Sequence, residues 1–368
     1  MKPRSTIAVL LLCAAWILPM SSGAATLEKI SYKELKHWGE SGNARTRLPG
    51  FTAFQKSCKQ ILSGKQPPQF KGQERSLAEW RKPCAKALSM RLAALAENDI
   101  REFFEAYFEP YHVVEGKTTD AFFTGYFEME IKGSRTKHGS YIYPVYGKPK
   151  DMKDGVPYLT RAEINRGALE GKGLAIAYTD DPVRLFFLQV QGSGRITLDD
   201  GTSMHLGFAA KNLRPYVSIG KYLKDSGKLK GNFITANDVM NWLRANTKVA
   251  RAVMEKNQSY VFFKETGTDG PYGAAGVALT PEGSLAVDPS TTPLGTPVWV
   301  DTEVRWGEKT ADKFYRLMTA QDTGTAIVGP LRGDIFFGYG PSAESAAGRT
   351  QSKGTLYVLL PKASKGHE

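Results

Sequence analysis

Histidine and cysteine are scarce in this chain, and their scarcity excludes several chemistries. Five histidines and three cysteines occur in 368 residues. His37, His112, His138, His205 and His367 are scattered, and neither Cys58 nor Cys84 has the neighbouring Cys and His that a zinc site requires. No metal and no cofactor are expected. No Gly-x-Ser-x-Gly elbow is present, which takes support from a serine hydrolase. Acidic residues are the minority, 37 against 49 Lys and Arg, yet there is no dense basic run and no recognised nucleic-acid motif. DNA and RNA are therefore not expected as partners. Long apolar runs are also missing: the one at Ile7–Leu18 falls short of the roughly 20 residues a membrane helix needs.

That run follows Lys2 and Arg4 and precedes Pro19 and the small residues Ser21, Ser22, Gly23, Ala24 and Ala25. The pattern predicts a secretory signal peptide over residues 1–25, with cleavage after Ala24 or Ala25. Leu12 stands before Cys13 where a lipoprotein signal needs a small residue, so Cys13 reads as signal core and no clear lipobox is present. An exported, periplasmic protein without a transmembrane helix follows, with outer-membrane association left open. Cys58 and Cys84 fall on helical patterns of an exported chain, which predicts a disulfide pinning two helices. The basic excess suits an acidic surface or a polyanionic polymer as partner.

From Leu27 to about Val113 the periodicity is helical, notably over 31–38, 51–62, 77–95 and 100–108. Beyond Thr119 aromatic and β-branched residues bounded by Gly and Pro predict strands over 121–129 and 140–146. Thr160 and Glu163 form a capping box for a short helix. The segment 183–191 reads as a strand that turns at Gly192-Ser193-Gly194 into another over 195–198, and Thr235 caps a long helix over 236–255. Strands are again expected over 259–263, 284–287, 297–301, 314–320 and 355–360, with a short helix near 342–349. The sum is α+β, mainly β, with a helical amino-terminal segment, rather than alternating βαβ.

Three aspartates occupy settings unlike those of solvated surface carboxylates. Asp288 and Asp322 each follow an apolar run and enter turns rich in Pro, Gly and Thr; Asp334 lies between Gly333 and the run Ile335-Phe336-Phe337. Asp322-Thr323-Gly324 matches the loop of an aspartic protease, but that chemistry needs two such loops sharing one proton, and only one occurs. Gly192-Ser193-Gly194 lacks the Gly-Lys-Ser/Thr of a phosphate loop and reads as a hairpin turn. Gln189 and Gln191 alternate on one face of the expected strand, where amides suit sugar hydroxyl and acetamido groups. Carboxylates with an aromatic, amide-rich surface point to carbohydrate, whose glycosidic oxygen a carboxylic acid protonates.

At this point the chain resembles the membrane-bound lytic murein transglycosylase A (MltA) family with its carboxy-terminal three-aspartate (3D) domain. The resemblance rests on Phe123-Thr124-Gly125-Tyr126-Phe127, Tyr158 to Ile164, Phe186 to Gly194, Pro215 to Gly220, Asn257 to Phe263 and the three aspartate segments. It implies a double-psi β-barrel domain, roughly 26–120 with 262–368, an inserted smaller β-barrel-like domain over 121–261, and a glycan groove between them. It also implies cleavage of the MurNAc–GlcNAc β-1,4 bond of peptidoglycan without water, leaving a 1,6-anhydro-MurNAc end. Asp334 aligns with the family's catalytic acid, which serves as acid and then base; Asp322 and Asp288 are expected to support it. Thr124, Tyr126, Gln189 and Gln191 are expected to bind substrate. Peptidoglycan glycan strands are the expected partner, alongside wall-remodelling proteins. The rival is a cell-wall glycan-binding protein without activity, since such barrels can hold glycans without cleaving them.

Overall fold

Residues 25–40, 46–231, 234–267, 270–307, 311–324 and 326–363 are described by a computed structural model. The expected signal peptide up to Ala24, with Cys13, and His367 lie outside the described residues. Two units share the chain. The first runs to Phe127 and resumes at Tyr272, and the second is Glu128–Pro271.

The first unit opens with β1 (Ala25–Lys29) and three helices: α1 (Leu48–Leu62), α2 (Leu77–Ser89) and α3 (Glu97–Tyr107). β2 (Phe108–Glu115) and β3 (Ala121–Glu128) follow. The second unit contains β4 (Glu130–Ser134), β5 (Tyr143–Tyr146), α4 (Arg161–Asn165), β6 (Ala175–Thr179), α5 (Pro182–Gln191), β7 (Gly194–Leu198) and β8 (Ser203–Lys211). It ends with α6 (Ile219–Asp225), α7 (Ala236–Ala245), α8 (Thr247–Met254) and β9 (Val261–Thr266). The chain then returns through β10 (Ser284–Ala286), β11 (Pro297–Val304), β12 (Asp312–Asp322), β13 (Arg332–Tyr339), α9 (Gly340–Arg349) and β14 (Gln351–Pro361).

In the first unit the strand order is β1-β2-β14-β11-β12-β10-β13-β3, and β3 pairs back onto β14. Six strands (β14, β11, β12, β10, β13 and β3) therefore close a barrel, and β2 and β1 extend one edge. The near-continuous apolar runs of these strands have a physical reason: they are covered on both faces. On β14, Leu356, Val358 and Leu360 enter the barrel core, while Tyr357 and Leu359 join the helix-side core. On β11, Val298 and Val300 face inward and Trp299 outward, beneath Trp38 and α1–α3. α1 lies so close to β12 that a Cβ on Gly50 would come within 2.0 Å of Leu317 O, so only glycine fits there. Cys58 of α1 and Cys84 of α2 are joined by a disulfide.

The second unit is a sheet of order β5-β6-β4-β7-β8-β9, and the parallel bridge Gly147–Phe263 links its two ends, so it too is barrel-like.

Four sequence expectations need correction. Residues 183–191 form helix α5, not a strand. Asp181 accepts from the Val183 and Arg184 N–H groups, Pro182 sits in the first turn, and Gly192, at φ 84°, closes the end in the left-handed region. Both caps outweigh the aromatic, β-branched composition. Residues 31–38 form turns instead of a helix, with His37 at φ 60° breaking the run. The helix expected over 236–255 is two helices, broken at Asn246. The helical reading also ran past its limit: Phe108–Glu115 is a strand, paired with β1 and β14.

Candidate active site

β3 and β13 are neighbours in the barrel, and side chains at alternate positions of a strand share a face. On β3 that face carries Phe122, Thr124 and Tyr126; on β13 it carries Arg332, Asp334 and Phe336. The six meet in three layers. Arg332 lies over the Phe122 ring, 5.1 Å from its centre. Thr124 Oγ1 donates to Asp334 Oδ1 over 2.5 Å. Tyr126 packs on Phe336, with ring centres 5.1 Å apart.

Asp334 is only 2% exposed. Burial raises its carboxyl from the ordinary 3.8 to about 6, against the opposing pull of the Thr124 hydrogen bond and the Arg332 charge; the charge of Asp322 adds to the rise. A neutral carboxylic acid is thus accessible near neutral pH, which is what protonation of a leaving group needs.

Asp322 ends β12, and three donors hold it. Oδ1 accepts from the Ala274 and Thr323 N–H groups at 3.0 and 2.9 Å, and Oδ2 accepts from the Tyr126 hydroxyl at 3.0 Å. Burial raises its carboxyl, and these bonds oppose the rise. Tyr126 in turn is pushed well above its usual value, by loss of water and then by the charges of Asp322 and Asp334. Asp288 is different. It tethers turns, accepting from Ser290 N and Oγ at 2.9 and 2.6 Å and from Gly329 N at 2.8 Å. Partial burial works to raise its carboxyl, but those donors hold it below the usual carboxylate range.

Of the residues singled out in the sequence, Thr124, Tyr126, Asp322 and Asp334 therefore come together. Gln189 and Gln191 lie about 200° apart around α5, so the shared face expected of them does not exist. Gln189 is buried and accepts from the Arg161 guanidinium, which also donates to the Asn257 and Ser259 carbonyls. Arg332 escaped the sequence reading. Its signal was its place two residues before Asp334, hence on the same face of a strand, but no strand was expected there. Among the described residues no cluster of His, Cys, Asp and Glu could hold a metal ion.

The chain matches the MltA specific insert domain over residues 122–264 and the 3D domain over residues 283–360. It is 36% identical over 247 residues to the membrane-bound lytic murein transglycosylase A of Vibrio cholerae serotype O1, an alignment spanning 66% of each chain. The solved structure of lytic transglycosylase LtgG of Burkholderia pseudomallei is 37% identical, with 97% of this chain and 99% of that one covered and a TM-score of 0.69. Escherichia coli MltA, solved with bound chitohexaose, is 28% identical, with 86% and 90% covered and a TM-score of 0.63. The six-stranded closure and the 3D segment define a double-psi β-barrel of the lytic transglycosylase class. The chain belongs to the membrane-bound lytic murein transglycosylase A family.

Proposed function

We infer that this chain is a peptidoglycan lytic transglycosylase that cleaves the MurNAc–GlcNAc β-1,4 bond and leaves a 1,6-anhydro-MurNAc end, with Asp334 as its one working carboxylate. The observation that carries this reading is the buried Asp334, hydrogen-bonded to Thr124, whose carboxyl burial raises to about 6. Protonated Asp334 gives its proton to the glycosidic oxygen as the C1–O bond breaks. The resulting carboxylate takes the proton of the MurNAc C6 hydroxyl as that oxygen bonds to C1. The substrate supplies the nucleophile, so no second carboxylate need activate water. Asp322, with three donors on its two oxygens, anchors the 274 and 323 backbone beside the acid, and Asp288 ties the turn at 290 to that at 329.

Chitohexaose bound to the E. coli relative supports a glycan strand as the ligand here. The export pattern at the amino terminus, with no helix among the described residues long and apolar enough to cross a membrane, supports action in the periplasm. Digestion of purified murein sacculi, followed by mass spectrometry of the soluble fragments, tests the activity. Anhydro-muropeptides are expected. Reducing-end MurNAc would make the protein a hydrolase, and binding without soluble product would make it a glycan-binding module.

A further inference from the structure

Arg332 donates through Nη2 to Thr124 Oγ1 over 2.7 Å, and Thr124 Oγ1 in turn reaches Asp334 Oδ1. A guanidinium has five donors and no acceptor, and it does not deprotonate in proteins. The Thr124 hydroxyl must therefore accept from Arg332, which leaves its single proton for Asp334 Oδ1. The cation is itself held in place: Nη1 donates to the Phe122 and Gly333 carbonyls at 3.1 and 2.6 Å, and the Phe122 ring lies beneath it. Without such a donor a threonine hydroxyl is free to turn. A protonated Asp334 could then spend its proton on Thr124, where the leaving group cannot use it.

We infer that Arg332 is a positioning residue: it fixes the polarity of the Thr124–Asp334 hydrogen bond, keeps Oδ1 a permanent acceptor, and reserves Oδ2 as the oxygen that gives and takes the catalytic proton. The inference rests on Asp334 being the acid. In the first step the Oδ2 proton passes to the glycosidic oxygen while the C1–O bond breaks. In the second, the C6 hydroxyl proton returns to Oδ2 while the C6 oxygen bonds to C1. Oδ1 stays hydrogen-bonded to Thr124 throughout, so acid and base action use one oxygen and no carboxyl rotation intervenes. The positive charge also opposes the burial that raises Asp334, which keeps the acid ionisable for its second role.

The test is a set of pH–rate profiles on a soluble glycan substrate for the full chain, Arg332→Met, Arg332→Lys, Thr124→Val and the double variant Arg332→Met with Thr124→Val, with Asp334→Asn alongside. Arg332→Met is expected to lower kcat about tenfold, a fraction of what a general acid contributes, and to move the high-pH limb upward. Arg332→Lys, which keeps a cation without acceptors, is expected to recover most of that kcat. In the Thr124→Val background, Arg332→Met should change kcat by less than about twofold, because no hydroxyl remains to orient. An equal loss in both backgrounds, or an unchanged kcat in Arg332→Met, would overturn the inference. Should Arg332→Met fail to fold, Arg332→Gln, which adds an acceptor and removes the charge, takes its place. Activity in Asp334→Asn would instead overturn the acid assignment itself.

Discussion

Asp322 and Asp334 stand on one rung of the barrel, each paired across the sheet with Ala286: Asp322 through the parallel β10–β12 ladder and Asp334 through the antiparallel β10–β13 ladder. Two strand spacings separate their backbones, about 9.6 Å, and the small alanine lies between. The two carboxylates share no hydrogen bond, since the Asp322 oxygens accept from Ala274, Thr323 and Tyr126 and Asp334 Oδ1 from Thr124, whereas the two carboxylates of an aspartic-protease dyad hold one proton between them. Their spacing is close enough for the charge of one to raise the other in a water-poor setting.

Removing that charge should be visible in the pH profile. Asp322→Asn keeps an oxygen for the Ala274 and Thr323 N–H groups but loses the negative charge. Asp334 then ionises more easily, so the high-pH limb of kcat/KM is expected to move to lower pH. A limb that stays in place would show that Asp322 does not act on the acid through its charge.

Asp334 should trade stability for function. Its carboxyl titrates at about 6 in the folded protein against an ordinary 3.8. The folded state therefore binds the proton more tightly than the unfolded state does. The resulting stabilisation is fully present below the ordinary value and is lost as pH rises through about 6. At about 1.4 kcal/mol per pH unit, the loss is on the order of 3 kcal/mol. Asp334→Asn is thus expected to abolish cleavage yet to unfold at higher denaturant concentration than the parent at pH 8, with the gap closing towards pH 4. Urea titrations at the two pH values measure it.

The Cys58–Cys84 disulfide closes a loop with a sequence separation of 26. A closure of that length contributes about 3 kcal/mol by restricting the unfolded chain. Replacing both cysteines with alanine should lower stability by that order. The specific activity of the folded fraction should not change, because the bridge joins α1 to α2 and touches none of the site residues. Denaturant unfolding with an activity assay at low temperature separates the two effects.

Gln189→Leu should act on stability and leave the chemistry alone. Arg161 is buried, and its contacts are Gln189, two carbonyls and the faces of Phe186 and Tyr260. Losing one acceptor of a buried charged donor costs about 1–3 kcal/mol. Gln191→Ala should cost little. Equal stability of the Gln189→Leu variant and the parent would mean that Arg161 finds another acceptor.

β11, β12 and β14 were legible because they are rich in branched and aromatic residues, whereas β13, which carries Asp334, was not expected; the Thr160 capping box is local chemistry that a sequence displays directly. α5 was hidden because its caps, Asp181 and Gly192, lie outside a run whose composition favours strand. The same misreading paired Gln189 with Gln191. The union of Thr124 with Asp334 was harder still: 210 positions separate them, and only the closure of β3 onto β13 and β14 brings them together. Asp334 stood out beforehand through its apolar company, but nothing local to it announced the Arg332–Thr124 contact.

The claim that one carboxylate works without activating water is tested most directly by digesting murein sacculi in water labelled with oxygen-18 and weighing the fragments. Fragments free of label and ending in 1,6-anhydro-MurNAc are predicted, with none released by Asp334→Asn. Incorporation of one labelled oxygen per cleaved bond would contradict the account, because it would require a base that activates water in place of the substrate's own C6 hydroxyl.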